Sequence, residues 1–146
     1  MSICEPKTRK TLEVGDTGEL TKTILDRDVF AFADASGDYN PLHFDDEYAR
    51  RSRFDGRVAH GILIAGIIST VLGGDIPGVG TIFVELHIRF LKPVYIGDTV
   101  TARAEVMQII NPRRVRLLVS CVNQHGADVA LGNAVVIPPA QTQIVM

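Results

Sequence analysis

Residues 34–69 read DASGDYNPLHFDDEYARRSRFDGRVAHGILIAGIIS, and the fold turns on how this stretch and its continuation to Leu72 are read. From His60 onward, Ile62, Leu63, Ile64, Ala65, Ile67, Ile68, Val71 and Leu72 occupy every side of a helix. A helix apolar all round belongs in a core, and Gly73-Gly74 is its expected stop. The earlier part is polar. Asp38 and His43 flank Asn40-Pro41, and His60-Gly61 joins the loop to the apolar helix. Proline lacks an N–H and biases the preceding residue towards extended backbone, so Asn40-Pro41 reads as a turn. That turn places a carboxylate and an imidazole beside the start of a buried helix.

Working outward to the N-terminal side, a strand is expected over residues 18–24. Asp26 is a suitable N-cap for a short helix carrying Val29, Phe30, Phe32 and Ala33 on one face. Gly37 ends that helix and delivers Asp38 into the turn. Asp45 is the expected cap of a second short helix reaching Arg51, followed by a charged loop to Val58. Residues 1–10, with Pro6, Lys7, Arg9 and Lys10, read as a loose arm on a single domain spanning 1–146.

On the C-terminal side the period changes to two. Ile82, Val84, Leu86, Ile88 and Phe90 alternate with Phe83, Glu85, His87 and Arg89, and the pattern returns over 100–106, 115–121 and 129–137. Lys92-Pro93, Gly97-Asp98, Asn111-Pro112 and His125-Gly126 supply the turns. Four strands joined by short turns and one apolar helix give an α+β fold, an antiparallel sheet with one face closed by the helix.

Composition narrows the function. The 146 residues are 46% hydrophobic with net charge -2 and a pI near 6.0. A core is affordable at this length, whereas a basic surplus for binding nucleic acid is missing. Cys4 and Cys121 stand apart with no CxxC pair, which argues against a thiolate metal site. Cys121 lies in a strand-like run as a small buried residue. A reducing, cytoplasmic setting is expected: the first residues lack a secretory apolar core, and the longest apolar run, 61–72, falls short of a membrane span and is interrupted by Ser69-Thr70. No GxGxxG, GxxxxGK[ST] or GxSxG occurs, so nucleotide phosphate loops and the hydrolase elbow are not expected.

With these residues in view, the chain resembles the MaoC-like (R)-specific enoyl-CoA hydratases of the hotdog fold. Asp38-Tyr39-Asn40-Pro41-Leu42-His43, followed by Asp45, matches that family's D-x-N-P-x-H signature. His60-Gly61-Ile62-Leu63 matches the start of its central helix, and Phe90-Leu91-Lys92-Pro93-Val94 with Gly97-Asp98 its strand-and-turn segment. The resemblance runs from about Val14 to Pro138. It implies a curved antiparallel sheet wrapped around one long helix, edge-to-edge homodimers, and a site near the dimer interface. The implied substrate is an acyl-CoA thioester: water adds to trans-2-enoyl-CoA to give (R)-3-hydroxyacyl-CoA, reversibly, with no cofactor and no metal. Phe83 stands where these enzymes often carry tyrosine, which bears on chain-length preference.

The reaction needs a base for water attacking C3, a proton for C2, and stabilisation of enolate charge on the thioester oxygen. Asp38 and His43 are the expected acid/base pair, with Asn40 supporting the turn. Gly61 is the expected oxyanion donor, because a helix's first turn carries unpaired N–H groups. By the resemblance, Ser69 hydrogen-bonds the catalytic carboxylate. His60 is expected to orient the loop through a backbone hydrogen bond. Arg50, Arg53, Arg113 and Arg114 are candidate contacts for the CoA phosphates, against the commoner reading of solvated charge. The alternatives are a 3-hydroxyacyl-carrier-protein dehydratase, a hotdog acyl-CoA thioesterase, and a non-catalytic acyl-thioester binding module.

Overall fold

The computed structural model describes residues 5–146, and Cys4 lies outside them. Two short strands, β1 (Thr11–Leu12) and β7 (Gln143–Ile144), pair in parallel and tie the chain ends together. The main sheet consists of β2 (Thr17–Thr23), β3 (Ile82–Phe90), β4 (Thr99–Asn111), β5 (Arg114–Val122) and β6 (Asp128–Ile137). Its order is β2-β4-β5-β6-β3, antiparallel throughout.

Period-two alternation gives this sheet its inner face. Val100, Ala102, Ala104 and Val106 of β4 and Val115, Leu117, Val119 and Cys121 of β5 are fully covered. Against them lies α4 (Gly61–Gly74), burying Ile64, Ala65, Ile67, Ile68, Val71 and Leu72 and touching β2, β3, β4 and β5. Each such aliphatic side chain contributes about 1.5–3 kcal/mol on burial. One helix across one antiparallel sheet is the hotdog arrangement. Among the described residues no helix is long and apolar enough to cross a membrane.

Several local expectations are corrected. In this chain α4 is not buried all round: Ile62, Gly66, Ser69, Thr70 and Gly73 form an exposed stripe, because the sheet covers only the side it faces. Gly73 and Gly74 continue the helix, which stops at Asp75, where Lys7 and Arg9 hold the carboxylate at 2.9 and 3.2 Å. The segment read as a loose arm is therefore docked from Lys7 onward: Lys7 N–H reaches Gly74 O at 3.0 Å and Arg9 N–H reaches Pro77 O at 3.1 Å.

Strand β3 pairs with β6, not with its sequence neighbour β4, and forms a sheet edge. A bulge between Phe83 and Glu85 breaks its alternation. Leu86 and Ile88 keep to the core, while Ile82, Phe83, Val84 and Phe90 are exposed.

Three helices precede α4. Helix α1 (Asp26–Ser36) is capped by Leu25 rather than Asp26: the Leu25 N–H donates to Asp28 Oδ2 at 2.8 Å, so the acidic side chain serves from inside the helix. Its apolar residues divide, with Val29 and Ala33 buried and Phe30 resting on Phe44. Helix α2 (Pro41–Phe44) is a single turn where only a bend was expected, since proline at a first helical position gives up no needed hydrogen bond. Helix α3 (Asp46–Arg50) has the expected Asp45 cap, which accepts from Tyr48 N–H at 2.9 Å.

Candidate active site

Gly37, in the left-handed conformation at φ 81°, closes α1 and turns the chain into Asp38. Asp38 Oδ1 then accepts from Asn40 N–H at 3.1 Å, and Asn40 Oδ1 accepts from Leu42 N–H at 3.2 Å. These two bonds build the turn and start α2, which carries His43 inward until it is 8% exposed.

The hydrogen bonds fix the proton positions on both histidines. His43 Nδ1 is 2.6 Å from Val58 O, and His60 Nε2 is 3.0 Å from Asp38 O. A carbonyl only accepts, so His43 is assigned its proton on Nδ1 and His60 on Nε2. His43 Nε2 is thereby left with a free lone pair. Burial pushes the His43 pKa below its ordinary value; His60 and Arg57 add to this, while the Val58 carbonyl and Asp38 oppose it. The ring is neutral near pH 7 and available as a base.

Asp38, His43 and His60 each present one ligand-type atom, all within 4.8 Å of one another. Two hydrogen bonds of about 2.8 Å meeting at a roughly tetrahedral water span about 4.6 Å, so Asp38 and His43 can share one water. The same trio suggests a metal, but its geometry is unsuitable. The two imidazoles are stacked, with centroids 3.8 Å apart and planes at 28°. Near-parallel rings aim their lone pairs alongside one another rather than at a common ion, and one nitrogen of each already donates to a carbonyl.

Gly61 opens α4, and among the described residues its N–H has no backbone partner, whereas the Leu63 and Ile64 amides return to His60 O. A side chain at Gly61 would meet the Phe90 ring at 3.1 Å, so glycine lets that ring pack against the first turn of α4. Asn40, His43, Gly61, Phe90 and Val129 line a cavity of about 540 Å³, together with the cations Arg53 and Lys92. Asp38 stands beside this wall without forming part of it. An adjoining hollow of about 820 Å³ shares Leu42, Arg53 and Phe54 but contains neither His43 nor Gly61. The smaller cavity is the one that meets the chemistry.

The structure thus brings together Asp38, Asn40, His43 and Gly61, with Arg53 at the same cavity. Other expected residues lie elsewhere. Ser69 is exposed and hydrogen-bonds no described residue; eight residues of helix separate it from Gly61, about 12 Å along the axis. Arg50 lines neither cavity. Arg114 begins β5, whereas Cys121 near its other end pairs with Ala130, next to cavity-lining Val129. Seven residues of strand put Arg114 about 23 Å from Cys121, and Arg113 lies in the turn just before the strand. Lys92 was legible only as a strand end, and the stacking of His60 on His43 carried no sequence signal, since 17 positions separate the two.

Comparison with known proteins agrees with this architecture. A model of the MaoC like domain matches residues 7–125. A 3-hydroxybutyryl-CoA dehydratase of Methylorubrum extorquens is 41% identical over 133 residues, covering 90% of this chain and 84% of that protein. An (R)-specific enoyl-CoA hydratase of Rhodospirillum rubrum is 39% identical over 130 residues, covering 89% and 90%. An R-hydratase of Pseudomonas aeruginosa, solved in its unliganded form, superposes with a TM-score of 0.83 at 40% identity, covering 88% of this chain and 83% of that one. Matched in sequence from the docked arm through the β5–β6 turn, and in structure along the sheet-and-helix frame, the chain belongs to the MaoC-like domain family.

Proposed function

We propose that this protein is an (R)-specific enoyl-CoA hydratase, a hydro-lyase that adds water to trans-2-enoyl-CoA and runs the reverse dehydration. The observation that carries the reading is the free lone pair of His43, whose ring lies in one cluster with Asp38, ligand-type atoms within 4.8 Å, and on the same cavity as the Gly61 N–H, which has no partner among the described residues. The substrate's thioester oxygen accepts from Gly61 N–H, which polarises the conjugated double bond. A water held by Asp38 and His43 attacks C3. An imidazole is intrinsically the stronger base of the two, with a reference pKa of about 6.5 against about 3.9, so His43 Nε2 takes the water proton as the C3–O bond forms. The double-bond electrons move onto the thioester as an enolate. Imidazolium then returns the proton to C2, restoring His43 and the thioester carbonyl, while the Asp38 charge steadies the imidazolium. Proton transfer and polarisation suffice, and the scheme calls for no cofactor.

Arg53 and Lys92 line the cavity, and neither side chain has a hydrogen bond or ion pair among the described residues. They suit the phosphates of a CoA arm. A homodimer is part of this reading: β3 offers an unpaired edge with exposed apolar residues beside the bare stripe of α4, and free edges of this kind are commonly covered. A cytoplasmic enzyme acting on a CoA thioester fits this chemistry.

The test follows two signals during incubation with crotonyl-CoA: loss of the enoyl-thioester absorbance and release of free thiol. Loss of absorbance without thiol release is expected. Thiol release would favour a thioesterase, tight binding with neither signal a non-catalytic module, and turnover restricted to carrier-protein thioesters the carrier-protein dehydratase.

A further inference from the structure

The unusual residue of this site is His60. It is 2% exposed, and its Nδ1 is buried without a hydrogen-bond partner among the described residues. A buried polar atom without a partner lowers stability. A residue kept only to fill space here would be apolar, and one kept only to hold the Asp38 carbonyl need not be a ring. His60 does both: Nε2–H donates to Asp38 O at 3.0 Å, and one face stacks on His43 at 3.8 Å. Phe32 braces the ring at 4.6 Å. His60 is also the N-cap of α4, directly before Gly61.

We propose that His60 is a positioning residue of the reaction, locking the Asp38 main chain, the His43 ring plane and the first turn of α4 into one block. It touches neither the water nor the substrate in this scheme. It sets the distance between the water-handling pair and the Gly61 N–H, the quantity to which a reaction held in one geometry is most sensitive. The inference rests on the hydratase reading above and deepens it.

His60 also influences the charge on its neighbour. The charged and titratable groups around His43 are His60, Asp38 and Arg57, with Arg53 and Lys92 on the shared cavity. Arg57 donates to His43 O at 2.7 Å and pairs with Asp26 at 2.5 Å. A second imidazole stacked on the first opposes its protonation.

Two variants separate the contacts: His60→Phe keeps a ring and loses the donor, and His60→Gln keeps a donor and loses the ring. Each is expected to lower kcat by about 10- to 100-fold, with KM changed less than about twofold. In His60→Phe, where an aromatic ring still covers His43, the acidic limb of kcat/KM moves up in pH, because the second imidazole is gone while the burial is kept. Wild-type kcat in both folded variants and an unmoved limb in His60→Phe would overturn the proposal. Should neither variant fold, imidazole 15N spectra of the wild type decide: His60 protonated on Nε2 and His43 on Nδ1 support it, and either opposite tautomer sinks it. Asp38→Asn run in parallel separates the layers. If it too retains activity, the hydratase mechanism fails; if it alone loses activity, only the role of His60 does.

Discussion

At the scale of single residues, the account depends on one carboxylate and one imidazole lone pair. Asp38→Asn keeps the size and the polar oxygen that accepts from Asn40 N–H, yet removes the charge that, in the proposed mechanism, orients water and steadies imidazolium. Hydration is expected to slow by about 10²- to 10⁴-fold, with an unchanged circular dichroism spectrum. The pH dependence follows from His43. Its proton affinity is lowered by burial, His60 and Arg57 against the opposing Val58 carbonyl and Asp38, and the working form is neutral. Activity therefore rises with pH through a value below about 6.5 and is retained at neutrality. The same sign holds for stability: a depressed imidazole contributes fully above the unfolded value, and that contribution is lost as pH falls through the folded one. A steady-state profile of kcat/KM against pH checks the limb, which belongs to the Asp38–His43 pair as a unit.

At the scale of elements, α4 is held at both ends. At its start, the His60 contacts and the Phe90 ring over Gly61 fix the site. At its end, Asp75 is 6% exposed and receives Lys7, Arg9 and the Glu19 N–H. Burial pushes the Asp75 carboxyl up, but Lys7, Arg9 and that N–H outweigh it and leave it below the ordinary carboxylate range. Lys7 is more than half exposed and counts for little; Arg9 and the amide matter more. Asp75→Asn is expected to cost about 1–3 kcal/mol at pH 7. The penalty fades as acid protonates the wild-type carboxylate below about pH 3.9, which urea midpoints measured across pH will test. The elements themselves were largely legible from sequence, because period two over 82–90 and an apolar run over 61–72 answer to burial that the chain creates for itself. Their partners were not. Nothing local in Ile82–Phe90 reveals that it pairs with β6 across the sheet, or that the Phe83–Glu85 bulge would turn part of it outward. The turn holding Asp38, Asn40 and His43 was legible for a different reason: its hydrogen bonds span two residues each. The contacts of His60 span 17 and 22 positions, and the separation of Arg113 and Arg114 from the cavity depends on sheet register.

At the scale of the whole molecule, a free β3 edge carries exposed Ile82, Phe83 and Val84, and α4 leaves Ile62 61% exposed beside a run of small residues. Pairing two such edges removes both liabilities. If the proposed dimer pairs through this edge, Phe83→Lys, which sets a charge there, shifts sedimentation from dimer to monomer with the fold retained; a dimer unchanged by it would place the interface elsewhere. Crotonyl-CoA is hydrated by the wild-type protein and by Asp38→Asn, and the product is resolved on a chiral phase. (R)-3-hydroxybutyryl-CoA is expected from the wild type and a trace at most from the variant. An (S)-product, free CoA, or an equal yield from Asp38→Asn would contradict the proposed function.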